Sequence, residues 1–566
     1  MSDNRPSGRR KNVSGTGGDV HKRGDGLGTG PVGQGFGSNS NITPTGGHSG
    51  GNGAKRAAGG GGILVVIIAI IYFLMNGKGV QLGGDSQNEL QATQQVNVPT
   101  AVQQVDNTVV KGARAKRTTL KGNGKDEVTI MVYMCGTDLE SKYGMASNDL
   151  GEMASAKFGD NVKIIVMTGG CSKWKTSGIS NTVNQIYRVT SGGLKQLEAD
   201  YGKKAMTDPT NLTDFIKYCS TNYPANRNFL ILWDHGGGSV SGYGYDEKNQ
   251  KSGSMNLVGI NNALKNAGVT FDIIGFDACL MATAETALML DNYGDYLIAS
   301  EETEPGIGWY YTNWLTKLGS NTSISSTDLG KIIVDDFVST CKQQCKGQST
   351  TLSLVDLAEF AYTVPDSLSA FAKSITGKLQ AEEYDEVSEA REDAREFATS
   401  SRIDQVDLTN LALNMNTAEG KALAKAIQGA VKYNSSSSYK DAYGISIYFP
   451  YRKTSSVDSA CSTYSAIGMD SEYSKCIKQF ASLETSGQIA GGGTSSPLGS
   501  LFGLGSSSVG GDVTGDLVSS LLSSFLGGGG RSIEGLDSDN ISFMKDQDLE
   551  AQAEYVADNM LQGDLT

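Results

Sequence analysis

Leu230-Ile-Leu-Trp-Asp-His-Gly-Gly-Gly238 and, further on, Phe271-Asp-Ile-Ile-Gly-Phe-Asp-Ala-Cys-Leu-Met281 decide how this chain is read. Each is an apolar run of strand length. The first closes on His235 and the second on Cys279. The other two histidines, His21 and His48, lie in a glycine-rich leader with almost no apolar residues, so His235 is the one histidine in the part that can fold. A lone histidine and a cysteine, each ending its own strand, suggest a thiol nucleophile with its base.

Further strands flank these two. Val128–Met134 is rich in β-formers, Val162–Met167 is a buried-strand run, and Tyr296–Ser300 is another. Between them, Leu139–Ala156, Asn211–Tyr218 and Ser254–Ala267 read as helices. Continuous apolar strands alternating with helices predict an α/β fold whose mostly parallel sheet is covered on both faces. Ligands bind such sheets beyond the carboxyl ends of the strands, where His235 and Cys279 both fall. From residue 346 to 485 more helices and the strands Thr351–Val355 and Tyr443–Phe449 predict an added C-terminal α/β lobe after a catalytic core at 127–345.

The flanks are of another kind. Many of the 73 glycines precede Gly62 or follow Ser486. Residues 1–56 form a basic leader, in which Arg5, Arg9, Arg10, Lys11, Lys22, Arg23, Lys55 and Arg56 outnumber Asp3, Asp19 and Asp25. Ala57–Met75 carries no charge and holds the apolar run Ile63–Met75, close to the roughly 20 residues that cross a bilayer. Residues 57–76 therefore predict a single membrane anchor, and the cations before it predict a cytoplasmic N-terminus with the rest of the chain outside the cell. A polar tether over 77–126, ending in the cluster Lys111–Arg117, predicts an extended segment open to cleavage. Residues 486–566 are a Gly/Ser-rich stretch and an acidic tail. The net charge of −13 and the lack of a basic stripe with interleaved aromatics exclude nucleic acid as a partner.

Cleaving an amide with Cys279 requires donors for the developing oxyanion. Glycines after His235 let the main chain approach a carbonyl, so the amide of Gly236 or Gly237, with that of Cys279, suits this task. Taken singly, a cysteine in an apolar run is most often an inert buried thiol. Matching strand ends and adjacent glycines favour the paired reading. Eight cysteines would permit disulfides outside the cell. Cys341 and Cys345, spaced like half a metal site, have no second pair with ligand spacing, so no metal site is predicted.

Asp234-His-Gly-Gly-Gly238, Asp277-Ala-Cys-Leu-Met281, Val132-Tyr-Met-Cys-Gly-Thr-Asp-Leu139, Ser300-Glu-Glu-Thr-Glu-Pro-Gly306 and Tyr443-Gly-Ile-Ser-Ile-Tyr-Phe-Pro450 together resemble the clostripain family of cysteine peptidases, in the clan of caspases, legumains and gingipains. The separation of His235 from Cys279 is near the roughly 50 residues of caspases. The resemblance runs from about Val128 to about Phe480 and implies a caspase-like αβα sandwich. By it, His235 is the base, Cys279 the nucleophile, and Asp277 the floor of a pocket that selects Arg or Lys before the scissile bond. A desolvated guanidinium needs such an anionic partner. Glu301, Glu302 and Glu304 are further acids for the cleft. Nicking between the two motifs, as in family members, would fall at Lys248 or Lys251. No cofactor is required for the chemistry; some family members depend on calcium, which the resemblance leaves open here, with no local calcium-loop spacing legible. Two rivals remain beside the endopeptidase: a thiol acyltransferase on the same dyad, and a non-catalytic adhesion protein on a peptidase-like scaffold.

Overall fold

A computed structural model describes residues 105–345, 347–401, 403–451 and 454–485, together with a two-residue strand at Lys22–Arg23. The proposed anchor at 57–76, the first part of the tether and the tail at 486–566 lie outside the described residues. Among the described residues, no helix is long and apolar enough to cross a membrane.

Nine strands form one sheet: β1 (Val128–Cys135), β2 (Val162–Gly169), β3 (Gln185–Thr190), β4 (Gly193–Glu198), β5 (Arg227–Trp233), β6 (Phe271–Asp277), β7 (Gly294–Ala299), β8 (Thr351–Asp356) and β9 (Val431–Ser436). Their order is β9-β8-β7-β6-β5-β1-β2-β3-β4. The centre, β2-β1-β5-β6-β7, is parallel throughout. The outer pairs β7–β8, β8–β9, β2–β3 and β3–β4 are antiparallel.

The parallel centre reads as continuous apolar sequence because helices cover both faces. Met131, Tyr133, Leu230, Leu232, Ile274 and Phe276 pack into one core with the helices Pro209–Asn222, Leu257–Ala267, Leu357–Gln380 and Ala418–Ala430. Ile130, Val132, Phe229, Ile231 and Ile273 point the other way, against Met145–Ser155, Tyr311–Ser320 and Ser326–Gln344. Local chemistry starts the helices. The Asp208 side chain accepts the Thr210 N–H ahead of Pro209, Asn256 caps the Gly259 N–H, and Ser325 caps that of Asp328. Such caps satisfy amides that have no partner inside the helix.

Residues 346–485 pack on the core, where β8 and β9 extend the same sheet and the helix Leu357–Gln380 covers the face that β6 and β7 bury. What is added is a small antiparallel sheet of Glu396–Phe397, Gln405–Asp407 and Ser446–Tyr448. The end of the tether is also docked rather than extended. Arg114 donates to Asp291 (2.7 Å), Asp295 (2.8 Å) and the Gly294 carbonyl (2.6 Å), and the Arg117 and Thr118 amides donate to Asp295. The basic cluster expected to be open to cleavage thus serves to close the amino end of β7.

Candidate active site

His235 and Cys279 follow the carboxyl ends of the neighbouring strands β5 and β6, which pair Trp233 with Asp277. The turn after β5 curls back on itself. Asp234 accepts the His235 amide at 2.6 Å and the Tyr245 amide at 2.7 Å, and Gly244 donates to the His235 carbonyl. Burial pushes the Asp234 carboxyl up to about 7, against the opposing pull of His235 and these amides. After β6 the chain turns sharply: Leu280 has φ +66°, a left-handed conformation that costs a branched residue energy and persists where the surroundings impose it. Gln405, from the small added sheet, holds that turn by donating to the Leu280 carbonyl (3.0 Å).

The two turns meet at their main chains. A Cβ on Gly236 would lie 2.1 Å from the Cys279 carbonyl oxygen and 3.0 Å from its amide nitrogen, so only glycine fits. Gly237 is committed differently, its amide donating to the Gly242 carbonyl (2.9 Å), which removes it from the two glycines considered for the oxyanion. The Cys279 sulfur accepts the Glu304 amide at 3.1 Å. An N–H aimed at sulfur favours negative charge there. All eight cysteines are buried, and burial pushes the thiols of Cys135, Cys171, Cys219, Cys461 and Cys476 upward, the last to about 12.

A third side chain joins the pair. His235 Nε2 lies 2.8 Å from Asp138 Oδ1, and both residues are fully buried. Asp138 follows β1, which pairs with β5. The motif Val132–Leu139 contains it, but the sequence alone assigns it no role. Applying the strand-end rule to β1, as well as to β5 and β6, points to the segment Gly136–Leu139. The contributions of the Glu304 amide and of Gln405 carry no comparable sequence signal, since each depends on a segment folding back from elsewhere in the chain.

The other predicted residues are placed as follows. Asp277 is buried at the end of β6, where it accepts the Trp309 amide (3.2 Å) and the Tyr311 hydroxyl (2.8 Å). Glu302 joins the site to the added segment, accepting the Ala398 amide (3.2 Å) and the Tyr439 hydroxyl (2.7 Å). Glu301 accepts the Gly444 amide at 3.0 Å. Burial and the neighbouring Asp407 push Glu301 well up. Cys279 itself is covered by Leu280, Phe397, Ala398 and Ala442. Lys248 and Lys251 are exposed on a loop that Asp246 organises by accepting the Lys248, Asn249 and Met206 amides. Among the described residues, no group of three or more His, Cys, Asp or Glu side chains is arranged to hold a metal ion.

A sequence model of the clostripain family matches residues 132–491, and the chain belongs to that family of cysteine endopeptidases. Clostripain from Hathewaya histolytica is 27% identical over 241 residues, covering 36% of this chain and 45% of that protein, so the chain spans about half the length of this curated relative. Among solved structures, a secreted C11 cysteine protease from Bacteroides thetaiotaomicron, bound to an irreversible peptide inhibitor, is 20% identical with a TM-score of 0.43; the match covers 61% of this chain and 100% of that one. An inactive zymogen C11 protease from Parabacteroides distasonis is 18% identical with a TM-score of 0.45, over 60% and 97% of the two chains.

Proposed function

We propose that this chain hydrolyses peptide bonds after Arg or Lys, with Cys279 as nucleophile and His235 as its base. The observation that supports the reading is the close contact of Gly236, the residue after His235, with the Cys279 main chain. His235 takes the thiol proton, the thiolate attacks the scissile carbonyl, and the amides of Gly236 and Cys279 receive the oxyanion. His235 then protonates the leaving amine, and water releases the acyl group. Asp277 binds the basic side chain, for which a buried carboxylate is a strong charge-assisted partner. Self-cleavage at Lys248 or Lys251, both exposed, is part of the proposal.

The membrane anchor at 57–76 rests on the apolar run Ile63–Met75. Its expected orientation meets an opposing observation, since the strand Lys22–Arg23 pairs antiparallel with Glu304–Pro305. Protease shaving of intact cells, with epitopes on the leader and the domain, distinguishes the arrangements.

The deciding test is a peptide library with every residue type before the cut, assayed with wild type and Cys279→Ala, alongside labelling by a basic acyloxymethyl ketone. Cleavage after Arg and Lys and labelling of Cys279 are expected, both absent in Cys279→Ala. Turnover by Cys279→Ala, or equal cleavage after all residues, overturns the reading. An added amine nucleophile that is incorporated in preference to water would identify an acyltransferase instead.

A further inference from the structure

We infer that Asp138 is a positioning residue of the reaction: it holds His235 through Nε2 and so presents Nδ1 to the thiol of Cys279. This rests on the reading of His235 and Cys279 as base and nucleophile.

Three observations support it. The Nε2–Oδ1 separation is 2.8 Å between two side chains with no exposure to solvent, so the contact is not screened by water. Of the two imidazole nitrogens, the one bonded to a carboxylate carries the proton in the neutral ring, and the other is then the acceptor. The main chain is also strained at this point. Thr137, the residue before Asp138, has φ +42°, a conformation that a β-branched residue adopts only where its surroundings force it. The strain lies where the turn after β1 delivers Asp138 to the turn after β5.

The charged groups facing the pair are few. Lys142 Nζ is 3.5 Å from the second oxygen of Asp138, and Asp234 adjoins His235 but is occupied by the His235 and Tyr245 amides. When the thiol proton moves to Nδ1 the ring becomes a cation, and the Asp138 carboxylate opposes that charge directly. Asp138 takes no proton in the step, because the Nε2 proton stays on the ring. It acts through His235 and touches neither substrate nor sulfur.

The experiment uses the full chain with His21→Gln and His48→Gln, which leaves His235 as the only histidine. Nitrogen-15 NMR of the ring is expected to show the neutral form protonated on Nε2; a neutral ring protonated on Nδ1 overturns the inference, and this measurement needs no change at Asp138. In kinetics on a basic peptide substrate, Asp138→Asn is expected to lower kcat about ten- to a hundredfold, at the low end of what a misplaced general base costs, with KM little changed. Asp138→Glu should restore most of the lost kcat. A folded Asp138→Asn with unchanged kcat also overturns the inference. Turnover by Cys279→Ala in the same assay would instead show that the peptidase reading itself had failed.

Discussion

The two ends of the central sheet treat buried carboxyl groups in opposite ways. At the amino end of the parallel strands three buried acids face a cation: Asp272 with Arg227 at 2.7 Å, Asp295 with Arg114 at 2.8 Å, and Asp356 with Lys116 at 2.5 Å. At the carboxyl end Asp234, Glu285, Glu301 and Asp407 are equally buried and are held mainly by amides and hydroxyls, and burial pushes all four up. Asp272 is itself raised, since burial outweighs the attraction of Arg227, but the guanidinium also ties it to the Thr322 and Ile324 carbonyls. One end is thus a clamp built from opposite charges. At the other, burial raises these four carboxyls near the residues proposed to do chemistry, an arrangement that is common at functional sites.

The comparison can be broken most directly by removing the nucleophile. Cys279→Ala should lower peptide turnover on the order of 10⁴-fold or more, the scale set when a covalent nucleophile is deleted. Its urea midpoint should stay close to wild type, because a small side chain is replaced by one that the same pocket accommodates. Activity within tenfold of wild type would move the chemistry away from the carboxyl end.

The clamp should show the reverse pattern. Arg227→Met leaves Asp272 buried without its cation, a change that costs about 3–5 kcal/mol. Urea unfolding is expected to register that loss, while kcat/KM of the protein that remains folded holds. A loss below about 1 kcal/mol would mean that the amino-end pairs contribute no more than surface ion pairs.

Specificity is a finer test of the carboxyl end. Asp277→Asn keeps the bonds from Trp309 and Tyr311 in outline and removes the charge, so cleavage after Arg and Lys should fall about ten- to a hundredfold, the equivalent of a charge-assisted contact. An unchanged basic preference would exclude Asp277 as the pocket acid.

The smallest effect is the dependence of stability on pH. Asp234 has an ordinary value of 3.8 and is pushed to about 7 in the folded state. The folded state therefore binds more protons than the unfolded state between those values, and its stability falls as pH rises from about 4 to about 7. One such group contributes at most about 1.4 kcal/mol per pH unit. Urea midpoints of Cys279→Ala, measured between pH 5 and pH 8, should decline with pH, and adding Asp234→Asn should flatten the decline. A midpoint that rises across this range would contradict the reading of the carboxyl end.

The elements legible in sequence were those with full burial. β1, β2, β5 and β6 are mostly apolar runs because both of their faces are covered. β3 and β4 were missed: Gln185–Thr190 and Gly193–Glu198 lie at the edge, where Arg188, Lys195 and Gln196 break the apolar pattern. β9, Val-Lys-Tyr-Asn-Ser-Ser, buries Lys432 against Glu359 at 2.7 Å, and no local pattern announces a lysine paid for by a partner on a distant helix. The tether was misread for the same reason, since Arg114 finds its acids at Asp291 and Asp295.

Sequence by itself determined which side chains capable of chemistry end the strands β5 and β6, and that glycine follows the histidine, because strand burial and turn geometry impose local patterns. Only the tertiary structure decided that Asp138 faces His235, that the Glu304 amide reaches the Cys279 sulfur and that Gln405 holds the turn at Leu280. Each of these contacts joins segments far apart in the chain, and hydrogen bonds at such range follow from how the sheet orders its strands rather than from any spacing along them.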